Sequence, residues 1–161
     1  MNETPRRRAF GPPSPRYLQD TATVRVRFQE VDSMNVVWHG HYLTYFEEGR
    51  TAFGRRYGFN YTDFAAHGCM APLVHSAVDH FAPARLDDVL SIRARLHIDS
   101  SARIDFTYRV AHASDDVTLV LGRTVQVLTT PQGELLLAQP RFVVEFWTRW
   151  RDAIVDAAKS G

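Results

Sequence analysis

One α+β domain, an antiparallel sheet covered by a single long helix, is predicted by three observations. The chain has 161 residues with 45% hydrophobic content, a size that suits one compact core. One long run of helical period, residues 40–57, stands near the start. After it come several runs in which apolar and polar residues alternate, separated by turn residues. The order of strand, helix, then about four strands is an α+β arrangement by the layering of apolar faces.

Residues 1–20 read as a flexible leader, because Arg6, Arg7 and Arg8 run into Gly11, Pro12, Pro13 and Pro15 with no apolar stretch. On that reading the leader is dispensable for activity. Residues 21–139 form the domain and residues 140–161 a C-terminal helix and tail. The first strand spans 23–28, with Val24, Val26 and Phe28 on one side and Arg25 and Arg27 on the other. Residues 29–38 are a loop. In the helix, Tyr42, Phe46, Gly49, Phe53 and Tyr57 share a stripe, and Gly58 ends it. Gly49 on that stripe predicts close approach to a sheet. A short turn or helix covers 61–66. Strands follow at 72–81, 89–98, 103–111 and 117–129, with Ser100 and Ser101 as a hairpin turn and Pro131, Gln132 and Gly133 as another turn. The apolar spacing of Val143, Phe146, Trp147, Trp150 and Ile154 predicts a final helix over 142–158.

The net charge of +1 gives no strongly basic face of the kind nucleic acid requires. No apolar run is long enough to span a membrane. Cys69 is the single cysteine, which excludes an intrachain disulfide and fits a reducing compartment, with the cytoplasm as the expected location.

The chemistry is concentrated in residues 28–50, FQEVDSMNVVWHGHYLTYFEEGR. Asp32 lies in a loop between strand and helix, and the helix begins near His39 and Gly40 with unpaired N–H groups that attract negative charge. Fixed donors of this kind stabilise an oxygen that becomes negative during attack, while a carboxylate on the same loop reaches the carbonyl carbon or a water beside it. The segment resembles the signature of the 4-hydroxybenzoyl-CoA thioesterase family of hotdog proteins. That signature is an aspartate, then Gly-Val-Val-Tyr/Trp-His-x-Asn-Tyr, then a Phe-Glu-x-Ala-Arg helix. A weaker likeness continues through Pro72 and residues 81–88, FAPARLDD.

The resemblance implies a single hotdog domain, a sheet wrapped around the central helix, that hydrolyses an acyl-CoA or acyl-carrier-protein thioester. It implies Asp32 as base or nucleophile, the His39 backbone N–H with Gly40 as the carbonyl-polarising group, and a supporting role for the His39 side chain. It also implies a homodimer, paired again into a homotetramer, with each active site at the dimer interface. Trp38, Tyr42, Tyr45 and Phe46 are candidates for the acyl site. No cofactor and no metal are expected, since Asp32, His39 and His41 do not have the spacing that ensures a three-ligand site.

Three positions depart from the family pattern: Asn35 for Gly, where Asn tolerates positive φ; His41 for Asn; and Phe28, where many members have Tyr. Glu47 reads as a partner of Arg50, Cys69 as an inert thiol, and Arg85, Arg93 and Arg95 as weak candidates for nucleotide phosphates. A hydratase or dehydratase of acyl thioesters and a non-catalytic acyl-binding module are the competing readings.

Overall fold

The computed structural model describes residues 10–159. Strand β1 is Arg16–Arg25; α1 is His41–Tyr57; α2 is Tyr61–Ala66; β2 is Leu73–His80; β3 is Val89–His97; β4 is Arg103–His112; β5 is Thr118–Val127; α3 is Arg141–Arg149; and β6 is Val155–Asp156. They form one six-stranded sheet in the order β2-β5-β4-β3-β1-β6, every pairing antiparallel. This is the α+β, sheet-on-central-helix fold that the sequence predicts, with its C-terminal helix.

Alternation decides which face of the sheet meets the helix. Leu90, Ile92, Ala94 and Leu96 of β3 and Ile104, Phe106, Tyr108 and Val110 of β4 are all buried. Against them α1 turns Tyr42, Tyr45, Phe46, Gly49, Phe53 and Tyr57, the helical stripe together with its neighbour Tyr45. The helix lies close because two glycines permit it. A Cβ on Gly49 would stand 2.8 Å from Ile92 Cγ2, and one on Gly122 would meet the Phe46 ring at 2.2 Å. Phe46 thereby lies flat on the sheet over the paired residues Gly122 and Tyr108, stacking on the Tyr108 ring at 4.4 Å between centroids. Gly58 ends α1 in the left-handed region at φ 71°.

Two boundaries differ from expectation. The leader ends earlier than residue 20: β1 begins at Arg16, and Tyr17 and Leu18 are buried, Leu18 completely. Two apolar side chains in a polar, proline-rich stretch are enough once each has a strand beside it, Leu18 opposite Leu96 and Tyr17 between His97 and Val155. A deletion through residue 19 therefore removes core, and residues 16–20 belong to the domain rather than to the leader. Residues 1–9 lie outside the described residues. Phe28, placed by alternation on a buried strand face, instead starts a one-turn 3-10 helix and is 79% exposed. At the other end the helix predicted over 142–158 stops at Arg149, because Val155 and Asp156 pair with the outer edge of β1.

His97 fastens the start of β1 to the sheet. It is 6% exposed, its Nδ1 lies 2.6 Å from the Ser14 carbonyl oxygen and its Nε2 2.7 Å from Thr107 Oγ1. The Nδ1 partner has no hydrogen to give, so Nδ1 carries the proton and Nε2 accepts from the Thr107 hydroxyl. Burial pushes the imidazole below its ordinary value, against the opposite pull of the Ser14 carbonyl and Asp105. The unfolded chain thus takes up a proton that the folded chain refuses. Stability is full above about pH 6.5 and declines as the pH drops below it. Thermal unfolding between pH 7.5 and 5 should show this decline, and His97→Gln should flatten it.

Candidate functional site

The site grows from a small hairpin between β1 and α1. Val31 and Val37 form an antiparallel bridge, Val36 bridges to Arg85, and the Trp38 N–H donates to the Glu30 carbonyl at 2.9 Å. Asp32 stands at the tip. Its N–H donates to the Val36 carbonyl at 2.9 Å, its carbonyl accepts from Asn35 at 3.0 Å, and its Oδ1 accepts from the Met34 N–H at 2.8 Å. Asn35 closes the turn at φ 58°, the left-handed conformation for which asparagine serves in place of glycine. The hairpin thus orients the Asp32 carboxylate by backbone donors, leaving it half-buried.

Immediately after the Val31–Val37 bridge the chain turns into α1. His41 N–H donates to the Trp38 carbonyl at 2.9 Å, and Gly40 is the residue before the first helical turn. Neither His39 nor Gly40 donates its backbone N–H to an acceptor among the described residues. Two donors without a partner among the described residues therefore stand at the positive end of a 17-residue helix. The Trp38 ring folds back over Gly40 so tightly that a Cβ there would lie 2.0 Å from it.

Beside this helix end is a cleft of about 270 Å³ lined by Val37, His39, Tyr42, His80, Phe81 and Pro83, among others. The Tyr42 ring meets His80 edge-on at 5.1 Å, and its hydroxyl accepts from the Ala84 N–H at 3.2 Å. Burial raises the Tyr42 phenol above its usual value, so it stays protonated at neutral pH.

Of the four acyl-site candidates, only Tyr42 borders the cleft. Trp38 is 49% exposed and packs on His39 and His41. Tyr45 and Phe46 are core residues, Tyr45 bonded to Glu30 and Phe46 stacked on Tyr108. Asp32 and His39 share the hairpin but are not hydrogen-bonded to each other. Glu47 bonds Arg50 at 3.2 Å, as its spacing suggests. Burial raises the Cys69 thiol, which weakens it as a nucleophile. Among the described residues no three His, Cys, Asp or Glu side chains cluster closely enough to hold a metal ion.

Sequence reasoning passed over Glu30. This residue is 9% exposed, and its Oε2 accepts from both the Tyr45 hydroxyl and the Arg27 N–H at 2.8 Å. Its carbonyl accepts from Trp38, so one residue ties the two arms of the hairpin to α1. Hydropathy hides such a residue, because a glutamate in a polar loop reads as solvated.

Comparison with known proteins gives the family. Residues 26–140 match the model of the thioesterase-like superfamily. The acyl-CoA thioester hydrolase YbgC of Escherichia coli O6:H1 is 30% identical over 92 residues, 57% of this chain and 69% of that protein. The acyl-CoA thioesterase YbgC of Haemophilus influenzae is 31% identical over 114 residues, covering 70% and 81% of the two chains. Among solved structures, a 1,4-dihydroxy-2-naphthoyl-CoA thioesterase from Synechocystis superposes with a TM-score of 0.70 at 22% identity, over 84% of this chain and 94% of the other, a likeness of fold.

Proposed function

Because the chain belongs to the thioesterase-like superfamily and is a thioester hydrolase, we propose that it cleaves acyl-CoA to free acid and thiol, with Asp32 as base or nucleophile. An acyl-carrier-protein thioester presents the same bond and is the other carrier that fits. The observation that carries the reading is the juxtaposition on one hairpin of an oriented carboxylate and a helix end with two unused donors. The thioester carbonyl oxygen lies at the His39 and Gly40 N–H groups, which stabilise it as it becomes negative. Asp32 attacks the carbonyl carbon, or takes the proton of a water that does. The single free cysteine agrees with a cytosolic setting. Release of free thiol from a panel of acyl-CoAs is the direct test, and its absence across aryl and fatty substrates would sink the proposal.

The active unit in this reading is a homodimer, joined through β2. That strand lies at the edge of the sheet with its outer backbone groups unpaired among the described residues, and it carries or adjoins apolar side chains, Met70, Leu73 and Phe81, exposed by 52%, 52% and 62%. Pairing two copies of β2 antiparallel continues one sheet across both and covers these residues, and two such dimers can pair again. Light scattering at micromolar concentration should give a dimer or tetramer mass, whereas a monomer would remove this claim.

A further inference from the structure

A second cavity, about 280 Å³, opens between α1, α2 and β4, bordered by Glu47, Arg50, Tyr61, Phe64, Ile104 and Phe106 among others. Arg50 is its unusual wall. The residue is 9% exposed, and its guanidinium sits 4.9 Å from the Tyr61 ring centroid and 5.3 Å from that of Phe106. Nη1 donates to Glu47 at 3.2 Å; Nε and Nη2 donate to no acceptor among the described residues. A guanidinium removed from water with one edge unused is costly, and that edge is the planar fork that fits a carboxylate. A second buried group nearby is also half-satisfied. Gln126, 3% exposed, lies within hydrogen-bonding distance of the Tyr61 hydroxyl at 3.3 Å, and its Oε1 has no partner among the described residues.

We propose that this cavity receives the far end of the substrate's acyl group, and that Arg50 selects acyl groups ending in an oxygen acceptor, a carboxylate best, over plain hydrocarbon. The aromatic walls hold the body of the chain and the guanidinium edge supplies the recognition. The topology explains how such a cavity serves the reacting end. The Arg50 cavity lies at the Leu73 end of β2, where Gln126 pairs with Leu73 and adjoins Tyr61. The His39 cleft lies at the other end, at His80. The strand between them is eight residues, about 23 Å. Antiparallel pairing of two β2 strands sets the Leu73 end of one copy against the His80 end of the other. Each helix end with its Asp32 hairpin then faces the cavity walled by Arg50 of the partner subunit.

The inference deepens the hydrolase reading, and its test is made independent of turnover. Three CoA thioethers that cannot be hydrolysed, each with a six-carbon chain ending in methyl, hydroxyl or carboxylate, are titrated into the full-length protein by calorimetry. The wild type should bind the carboxylate form about 10- to 100-fold more tightly than the methyl form, with the hydroxyl form between. Arg50→Gln should abolish that spread while keeping the methyl affinity. Since Arg50 also packs on two rings, Thr62→Phe provides a second route: it blocks the cavity from its exposed rim, leaves Arg50 in place and should likewise remove the spread. Equal affinities in the wild type, or a spread that survives Arg50→Gln, would overturn the proposal. If the spread appears as described but no acyl-CoA is hydrolysed, the cavity assignment holds and the hydrolase reading is the one that fails.

Discussion

Asp32→Asn should leave substrate binding close to normal and slow the chemical step by about 10² to 10⁴, more if a covalent intermediate is required. Asparagine keeps the shape of the side chain, and its amide oxygen can still accept from the Met34 N–H, so the hairpin survives. What it loses is the negative charge that attacks carbon or accepts a proton from water. Asp32 also holds its own turn, so variants are compared at equal folded fraction, its hydrogen bond from the Met34 N–H contributing about 1 kcal/mol. Changes at Cys69 should leave kcat nearly untouched, since the thiol is buried and its pKa raised. Single-turnover thiol release decides the matter. An Asp32→Asn protein with near-normal kcat would rule out this mechanism and move the base to Glu47, a carboxylate on α1.

Glu30→Leu should be the next most damaging change, for a different reason. Tyr45 is 2% exposed, and its hydroxyl donates to Glu30; burial, and then Glu30 itself, raise its pKa, so the phenol stays a donor. Leucine leaves that buried hydroxyl without an acceptor, at a cost of about 1–3 kcal/mol, and frees the Arg27 N–H as well. The hairpin loses its anchor to α1, so the Asp32 carboxylate and the His39 donors lose their mutual alignment. A misplacement of about 1 Å can cost about 10²-fold in rate. Glu30→Leu should therefore lower both the denaturation midpoint and kcat, with a smaller effect on KM. Glu30→Gln, which can still accept from Tyr45, should recover most of kcat. If Gln and Leu are equally impaired, the positioning role is wrong.

Much of the fold is legible in the sequence because alternation and helical period report burial directly. Residues 89–98 and 103–111 alternate without interruption, and β3 and β4 lie there within a residue or two. The stripe from Tyr42 to Tyr57 is the buried face of α1. The misplaced ends have a common physical cause. Tyr17, Leu18 and Val155 carry too little local pattern to declare a strand, and they become one only because a partner from the far end of the chain lies alongside. The candidate site divides the same way. The Asp32 hairpin and the start of α1 can be read locally, since turn chemistry and the end of a helix are local properties. The acyl-site candidates could not, because Tyr45 and Phe46 are large aromatics whether they line a cleft or fill a core. Arg50 did leave a signal: it falls four residues after Phe46 and three before Phe53, a charge set among the buried face of the helix.

The two borders of the sheet are not alike. Among the described residues β2 presents a bare ladder, but the outer side of β1 is interrupted by β6 at Arg16 and Tyr17, and the Tyr57 hydroxyl occupies the Gln19 carbonyl at 2.9 Å. A chain with two open borders could add copies indefinitely and grow into a fibril; one with a single open border stops after one addition. The short C-terminal strand thus covers the start of the β1 border, and trimming the chain before Val155 should lay that border open along its length and favour aggregation over closed assembly.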